Sequence, residues 1–79
     1  MYIEESNDLA EFTIWSHWGR CGISLKLEGV DPHEIETNGD LLKAIEGAEN
    51  ILRDGMRRGW PEELTDLIRW TIDRAQAVA

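Results

Sequence analysis

The sequence predicts an α+β fold: a small antiparallel sheet of two or three strands, followed by two antiparallel helices packed on one of its faces. Two observations predict it. Apolar residues recur with period two between Glu11 and Glu28, then with helical period from Leu41 onward. Turn and cap residues (Gly19, Thr37 to Asp40, Gly59, Pro61) stand where those stretches begin and end.

Gly19-Arg20 lies at the centre of the period-two stretch and predicts a two-residue hairpin loop. Pairing across it sets Trp18 opposite Cys21, Ser16 opposite Ile23, Ile14 opposite Leu25 and Phe12 opposite Leu27 on a core face. Thr13, Trp15 and His17 then share the outer face with Lys26, Ser24 and Gly22. A slip of one residue would bury Lys26, so burial specifies which face is which. Tyr2 and Ile3 suit a short additional strand within residues 1 to 5, with Ser6-Asn7-Asp8 as the turn after it. The sheet region is thus residues 1–28. Residues 29–38 contain Gly, Pro, Asn and acids, and read as a connecting acidic loop.

Thr37 and Asp40 have the spacing of a capping box, which starts a first helix over residues 39–58. Leu41, Ile45, Ala48, Leu52 and Met56 form its apolar stripe. Gly59 ends it, and Pro61 with Glu62 and Glu63 opens a second helix over residues 60–78. Leu64, Leu67, Ile68, Thr71, Ala75 and Val78 form the stripe of that helix, and the short connection makes the two helices antiparallel neighbours. Gly47 and Gly55 interrupt the first helix; Gly55 lies near the stripe and suits a close contact, whereas Gly47 has no evident role in the pattern.

Composition narrows the function. Seventy-nine residues support one core and one domain. A single cysteine permits no internal disulfide, and Met1 to Ala10 carries Glu4, Glu5 and Asp8 in place of the basic and apolar stretches of a secretory leader. The expected location is a reducing cytoplasm. The net charge is −8, and residues 1–38 hold eight acids against Arg20 and Lys26, a balance of −6, while residues 39–79 hold eight acids against six bases. A field of that sign repels nucleic acid and anionic lipid and attracts basic protein surfaces. Direct nucleic-acid or membrane binding is therefore not expected.

Catalytic and metal-binding candidates are few. Cys21 and His17 flank the hairpin loop on opposite faces, which keeps a thiol and imidazole apart, and an unpaired cysteine is usually a small buried hydrophobe. Asp31, His33, Glu34 and Glu36 match neither the oxygen spacing of a calcium loop nor the Cys/His content of a zinc site. No cofactor and no enzymatic activity are expected. Four tryptophans exceed what a small core requires, and aromatic residues concentrate at protein interfaces. Trp15 on the outer face and Trp18 at the hairpin tip, with Glu28, Asp31, Glu34 and Glu36, form the candidate partner surface. Trp70 edges the second helix's stripe, and Trp60 before Pro61 suits a packing role.

In size, acidity and the acidic stretch from Glu28 to Asp40 after a hairpin, the chain resembles the small acidic phage proteins that inhibit bacterial defence, notably the anti-CRISPR proteins. No site residue follows from that resemblance. It implies a protein partner with a basic surface, such as a CRISPR effector subunit, met in the host cytoplasm. An inhibitor that presents carboxylates to a basic groove is the leading expectation. An oligomeric adaptor or antitoxin-like partner, with Trp15 or Trp70 completing a homodimer core, is the alternative; monomer and homodimer both remain open.

Overall fold

Three reversals of direction precede the first helix, and together they build a four-stranded meander rather than two or three strands. The computed structural model covers residues 1–79. Strands β1 (Tyr2–Ser6), β2 (Ala10–His17), β3 (Arg20–Leu27) and β4 (His33–Asn38) pair antiparallel in the order β1-β2-β3-β4. Helices α1 (Leu41–Arg58) and α2 (Glu62–Val78) follow.

The first reversal is an Asx turn. The Asn7 Oδ1 accepts from the backbone N–H groups of Leu9 and Ala10 at 2.9 and 3.0 Å, replacing the ladder where the chain bends. The second is a two-residue hairpin loop, but it is Trp18-Gly19 and not Gly19-Arg20. Trp18 has φ 51° and Gly19 φ 77°, the paired left-handed conformations whose twist matches that of the flanking strands. The register accordingly differs from the expected one by two residues. Phe12 pairs with Leu25, Ile14 with Ile23 and Ser16 with Cys21. Because side chains alternate with period two, a two-residue shift leaves every face assignment intact. Phe12, Ile14, Cys21, Ile23 and Leu25 are all buried, while Trp18 leaves the core face for the loop.

The third reversal corrects the expectation of a loop over residues 29–38. Only Glu28 to Pro32 connects; His33 to Asn38 forms β4, with Ile35 opposite Ile23 and His33 opposite Leu25. The segment alternates between His33, Ile35 and Thr37 on one face and Glu34, Glu36 and Asn38 on the other. Its one large apolar residue is too weak a period-two signal beside its acids, and β4 gains its conformation by pairing with β3.

Helix α1 starts one turn later than a capping box at Thr37 would require. Thr37 lies in β4, and Asp40 is the N-cap, its carboxylate accepting from Lys43 N–H at 3.3 Å. The helix ends as its glycine predicts. Gly59 is left-handed at φ 77°, its N–H bonds to the Met56 carbonyl and that of Trp60 to the Gly55 carbonyl, the reciprocal pair of a Schellman ending. Pro61 is the N-cap of α2, with Glu62 and Glu63 in the first turn.

The core joins the inner sheet face to Leu41, Ala44, Ile45 and Ala48 of α1 and Leu64, Leu67, Ile68, Ile72 and Ala75 of α2. Met56 and Val78, expected in the stripes, are exposed; Gly55 and Ile72 take buried places instead. The buried Thr71 hydroxyl donates to the Leu67 carbonyl at 2.8 Å, so it costs no unpaired polar group. Two helices span only three strands: α1 lies against β2 and β3, and α2 against β1 and β2. Strand β4 therefore projects beyond the helical layer. No helix is long and apolar enough to cross a membrane.

Candidate protein-binding surface

The uneven charge of the sequence becomes a difference between layers. Residues 1–38 are the sheet and its turns, so the sheet layer carries −6 and the helical layer −2. Five of the eight bases are held in ion pairs: Arg20 with Glu36, Arg57 and Arg58 with Asp54, Arg69 with Asp66, and Arg74 with Glu5. Hydrogen bonding from Arg57 and the nearby guanidinium charges hold the Asp54 carboxyl below its ordinary value. Glu28, Asp31 and Glu34 take part in no ion pair, nor do Asp8 and Glu11 beside them in the fold.

The predicted site residues divide into three places. Trp15, Glu34 and Glu36 come together on the outer sheet face, around a small depression of about 400 Å³ that Ser24 also lines. The indole of Trp15 lies across Gly22. A Cβ on Gly22 would stand 2.8 Å from that ring and 2.6 Å from the Ile35 carbonyl oxygen, so glycine there lets Trp15 lie flat and β4 approach closely. Trp15 is thereby half-buried by its own sheet, and no helix covers this face. Tyr2, opposite Trp15 on β1, adds an exposed ring that the sequence pattern did not single out.

Glu28 and Asp31 sit at the end of the sheet where the β1–β2 turn and the β3–β4 connection meet. Asp8, Leu9, Leu27, Glu28, Trp60, Pro61 and Leu64 line a cleft of about 420 Å³ there, an apolar hollow with carboxylates at its rim. The Asn7 side-chain amide donates to the Glu63 carbonyl at 3.1 Å and ties the start of α2 to the same end.

Trp18 occupies the opposite end. Eight residues of β3 separate it from Glu28, a distance of about 25 Å at strand rise. Trp18 and the loop acids therefore do not form one patch. Trp18 is 88% exposed and meets the His17 ring edge-on at 5.5 Å. A bulky residue with positive φ is strained by about 1 kcal/mol or more, and such strain concentrates at contact and switch positions.

Cys21 and His17 lie on opposite faces of the sheet, Cys21 buried and His17 exposed. Burial, with the Asp40 charge second, raises the Cys21 thiol above its ordinary value. In the acidic segment His33 points to the inner face, while Glu34 and Glu36 share the outer one. No group of three or more His, Cys, Asp or Glu is placed to hold a metal ion.

The feature that the sequence did not reveal is a groove of about 690 Å³ between β4 and α1. Its floor is Leu25, Ile35, Ile51 and Trp60, with His33 and Thr37 on one wall and Lys43, Glu46, Asn50, Asp54 and Arg58 on the other. It exists because β4 extends past the helices, which leaves Ile35 46% exposed. The alternation of His33, Ile35 and Thr37 is its trace in the sequence, and one large apolar residue is too few to mark a strand. Comparison with protein-family models, curated proteins and solved structures finds no match for this chain.

Proposed function

We propose that the chain is a non-catalytic protein-binding inhibitor, which presents the carboxylates of its sheet layer to a basic, nucleic-acid-binding surface of its target. A CRISPR effector subunit is a target of that kind, its nucleic-acid channel lined with Lys and Arg. One observation carries the proposal: the sheet layer, whose outer face no helix covers, holds −6, and Glu28 and Asp31 at its end and Glu34 on its outer face take part in no ion pair. Unpaired carboxylates steer a cationic partner in, and Glu34 beside the Trp15 ring then meets it with charged hydrogen-bond and cation–π contacts.

The test is capture of partners on the immobilised chain from nuclease-treated lysate, released by stepped salt, followed by competition of the captured protein against its nucleic acid. The proposal expects a nucleic-acid-binding protein released at moderate salt, where charges separated by more than about a Debye length are screened. A partner that resists salt and has no basic surface would refute it. That result would favour the second reading, an oligomeric adaptor, which the half-exposed Ile35 and the open groove support.

A further inference from the structure

We propose that the free edge of β4 is a strand-addition site for an extended, basic segment of the partner, with alternate residues Lys or Arg and apolar. The proposal rests on the reading that the acidic sheet layer meets a basic partner, and adds to it where and in what conformation the partner binds.

The backbone ladder shows which groups of β4 are free. The Gly39 N–H bonds to the Gly19 carbonyl at 2.8 Å, which continues the β3–β4 register and marks the odd-numbered pairs (Cys21 with Thr37, Ile23 with Ile35, Leu25 with His33) as the hydrogen-bonded ones. The N–H and C=O groups of Glu34, Glu36 and Asn38 consequently point away from the sheet. An exposed edge of this kind is a template for another strand. On the other edge the middle of β1 is occupied: the outward carbonyl of Glu4 accepts from Arg74 Nη1 at 3.2 Å, and the same guanidinium pairs with Glu5 at 3.1 Å.

Side chains select the occupant. An added strand has every second residue opposite Glu34 and Glu36 on the outer face, where like charge is repelled and Lys or Arg is favoured. Its other residues point to the inner side, into the groove floored by Ile35, Ile51 and Leu25, where apolar side chains fit and the Lys43 and Arg58 cations on the far wall disfavour a second row of Lys or Arg. A second copy is disfavoured by the same carboxylates. Antiparallel pairing of two β4 strands centred on Ile35 would set Glu34 of one copy directly against Glu36 of the other.

The probe is an acetylated, amidated hexapeptide, Lys-Val-Lys-Leu-Lys-Val, titrated into the ¹⁵N-labelled chain while amide exchange is followed. Two controls accompany it: a block isomer with three Lys then three apolar residues, and the alternating peptide N-methylated at alternate residues to remove its donors on one edge. At saturation the alternating peptide is expected to slow exchange of the Glu34, Glu36 and Asn38 amides at least tenfold, and the N-methylated peptide to leave them unchanged. Glu34→Pro removes an outward N–H without touching the β3 ladder and should abolish the protection; Glu34→Gln, which removes only charge, should weaken binding a few-fold. Equal protection by all three peptides, or shifts spread over the sheet face with none at β4, would overturn the edge while leaving the acidic reading intact. Failure of every cationic peptide to bind would instead count against both. Concentration-dependent slowing of the same amides without peptide would give the edge to a second copy and overturn the proposal.

Discussion

Gly47 and Gly55 stand two turns apart on the same helix, and alanine should have opposite effects at the two positions. In a helix interior Gly costs about 1 kcal/mol relative to Ala, chiefly through backbone entropy, so both substitutions begin with that gain. At Gly47 a Cβ would meet only Ile23 Cδ1, at 3.6 Å, an ordinary van der Waals distance. Gly47→Ala should therefore stabilise the fold by about 1 kcal/mol, which in a domain of this size raises Tm by about 4–8 °C. At Gly55 the Cβ would overlap the indole of Trp60, and the backbone N–H of Trp60 closes the helix ending on the Gly55 carbonyl at 3.0 Å. Displacing a packed ring costs about 1–3 kcal/mol, and the same shift strains the Gly59 turn. Gly55→Ala should destabilise by up to about 2 kcal/mol after the propensity gain of about 1 kcal/mol is subtracted. Urea unfolding of both variants, with the slope m held as a check on two-state behaviour, measures the pair. A destabilised Gly47→Ala would refute the placement of α1 over β3, and a stabilised Gly55→Ala would refute the seating of Trp60.

Trp18→Asn should stabilise by about 0.5–1 kcal/mol, because Asn tolerates the left-handed conformation and the exposed indole gives up only its contact with His17; thermal unfolding decides, and a loss of stability would show that packing rather than the turn holds Trp18. Cys21 is raised by burial, so it favours the folded state fully below its unfolded value of about 9.0 and that contribution falls as pH rises through 9. Stability of the native chain minus that of Cys21→Ala, measured by urea unfolding, should therefore decline above pH 9, and a flat difference would contradict the burial. Trp15→Ala should cost about 1–2 kcal/mol, less than the 3–5 kcal/mol of a fully buried aromatic, and circular dichroism should show the fold retained; unfolding of the variant would make Trp15 a structural residue and remove it from the partner surface.

Much of the fold was legible because burial writes a strong periodic signal. The hairpin faces, both helices, the Gly59 ending and the Gly55 contact all follow from residues whose alternatives would bury a charge or expose an apolar stripe. The loop position was not legible, because a two-residue change of register preserves both faces and Trp18 is an unusual residue for a left-handed turn position. Strand β4 was missed for a related reason: it is an edge strand with every residue exposed, so no burial pattern marks it. The candidate site suffered most from that omission. Trp15 and the acids could be assigned to faces by alternation, and the length of the hairpin already separates Trp18 at its tip from Glu28, but the pairing of β4 that unites Trp15 with Glu34 and Glu36 is a long-range property. Tyr2 and the β4–α1 groove are likewise set by pairing and by how far two helices reach across four strands.

The proposed function requires that the acids of the sheet layer, rather than acidity in general, hold the partner. Two quadruple variants of equal net charge test it against the captured partner: Glu28→Gln, Asp31→Asn, Glu34→Gln and Glu36→Gln on the sheet side, and Glu49→Gln, Glu62→Gln, Glu63→Gln and Asp73→Asn on the helices. Titration calorimetry at fixed salt should show the first variant weakened about tenfold or more, four lost contacts at about 0.5 kcal/mol each giving roughly 2 kcal/mol, and the second within about threefold of the native chain. Equal weakening of the two would contradict the claim and reduce the acidity to a general property of the surface.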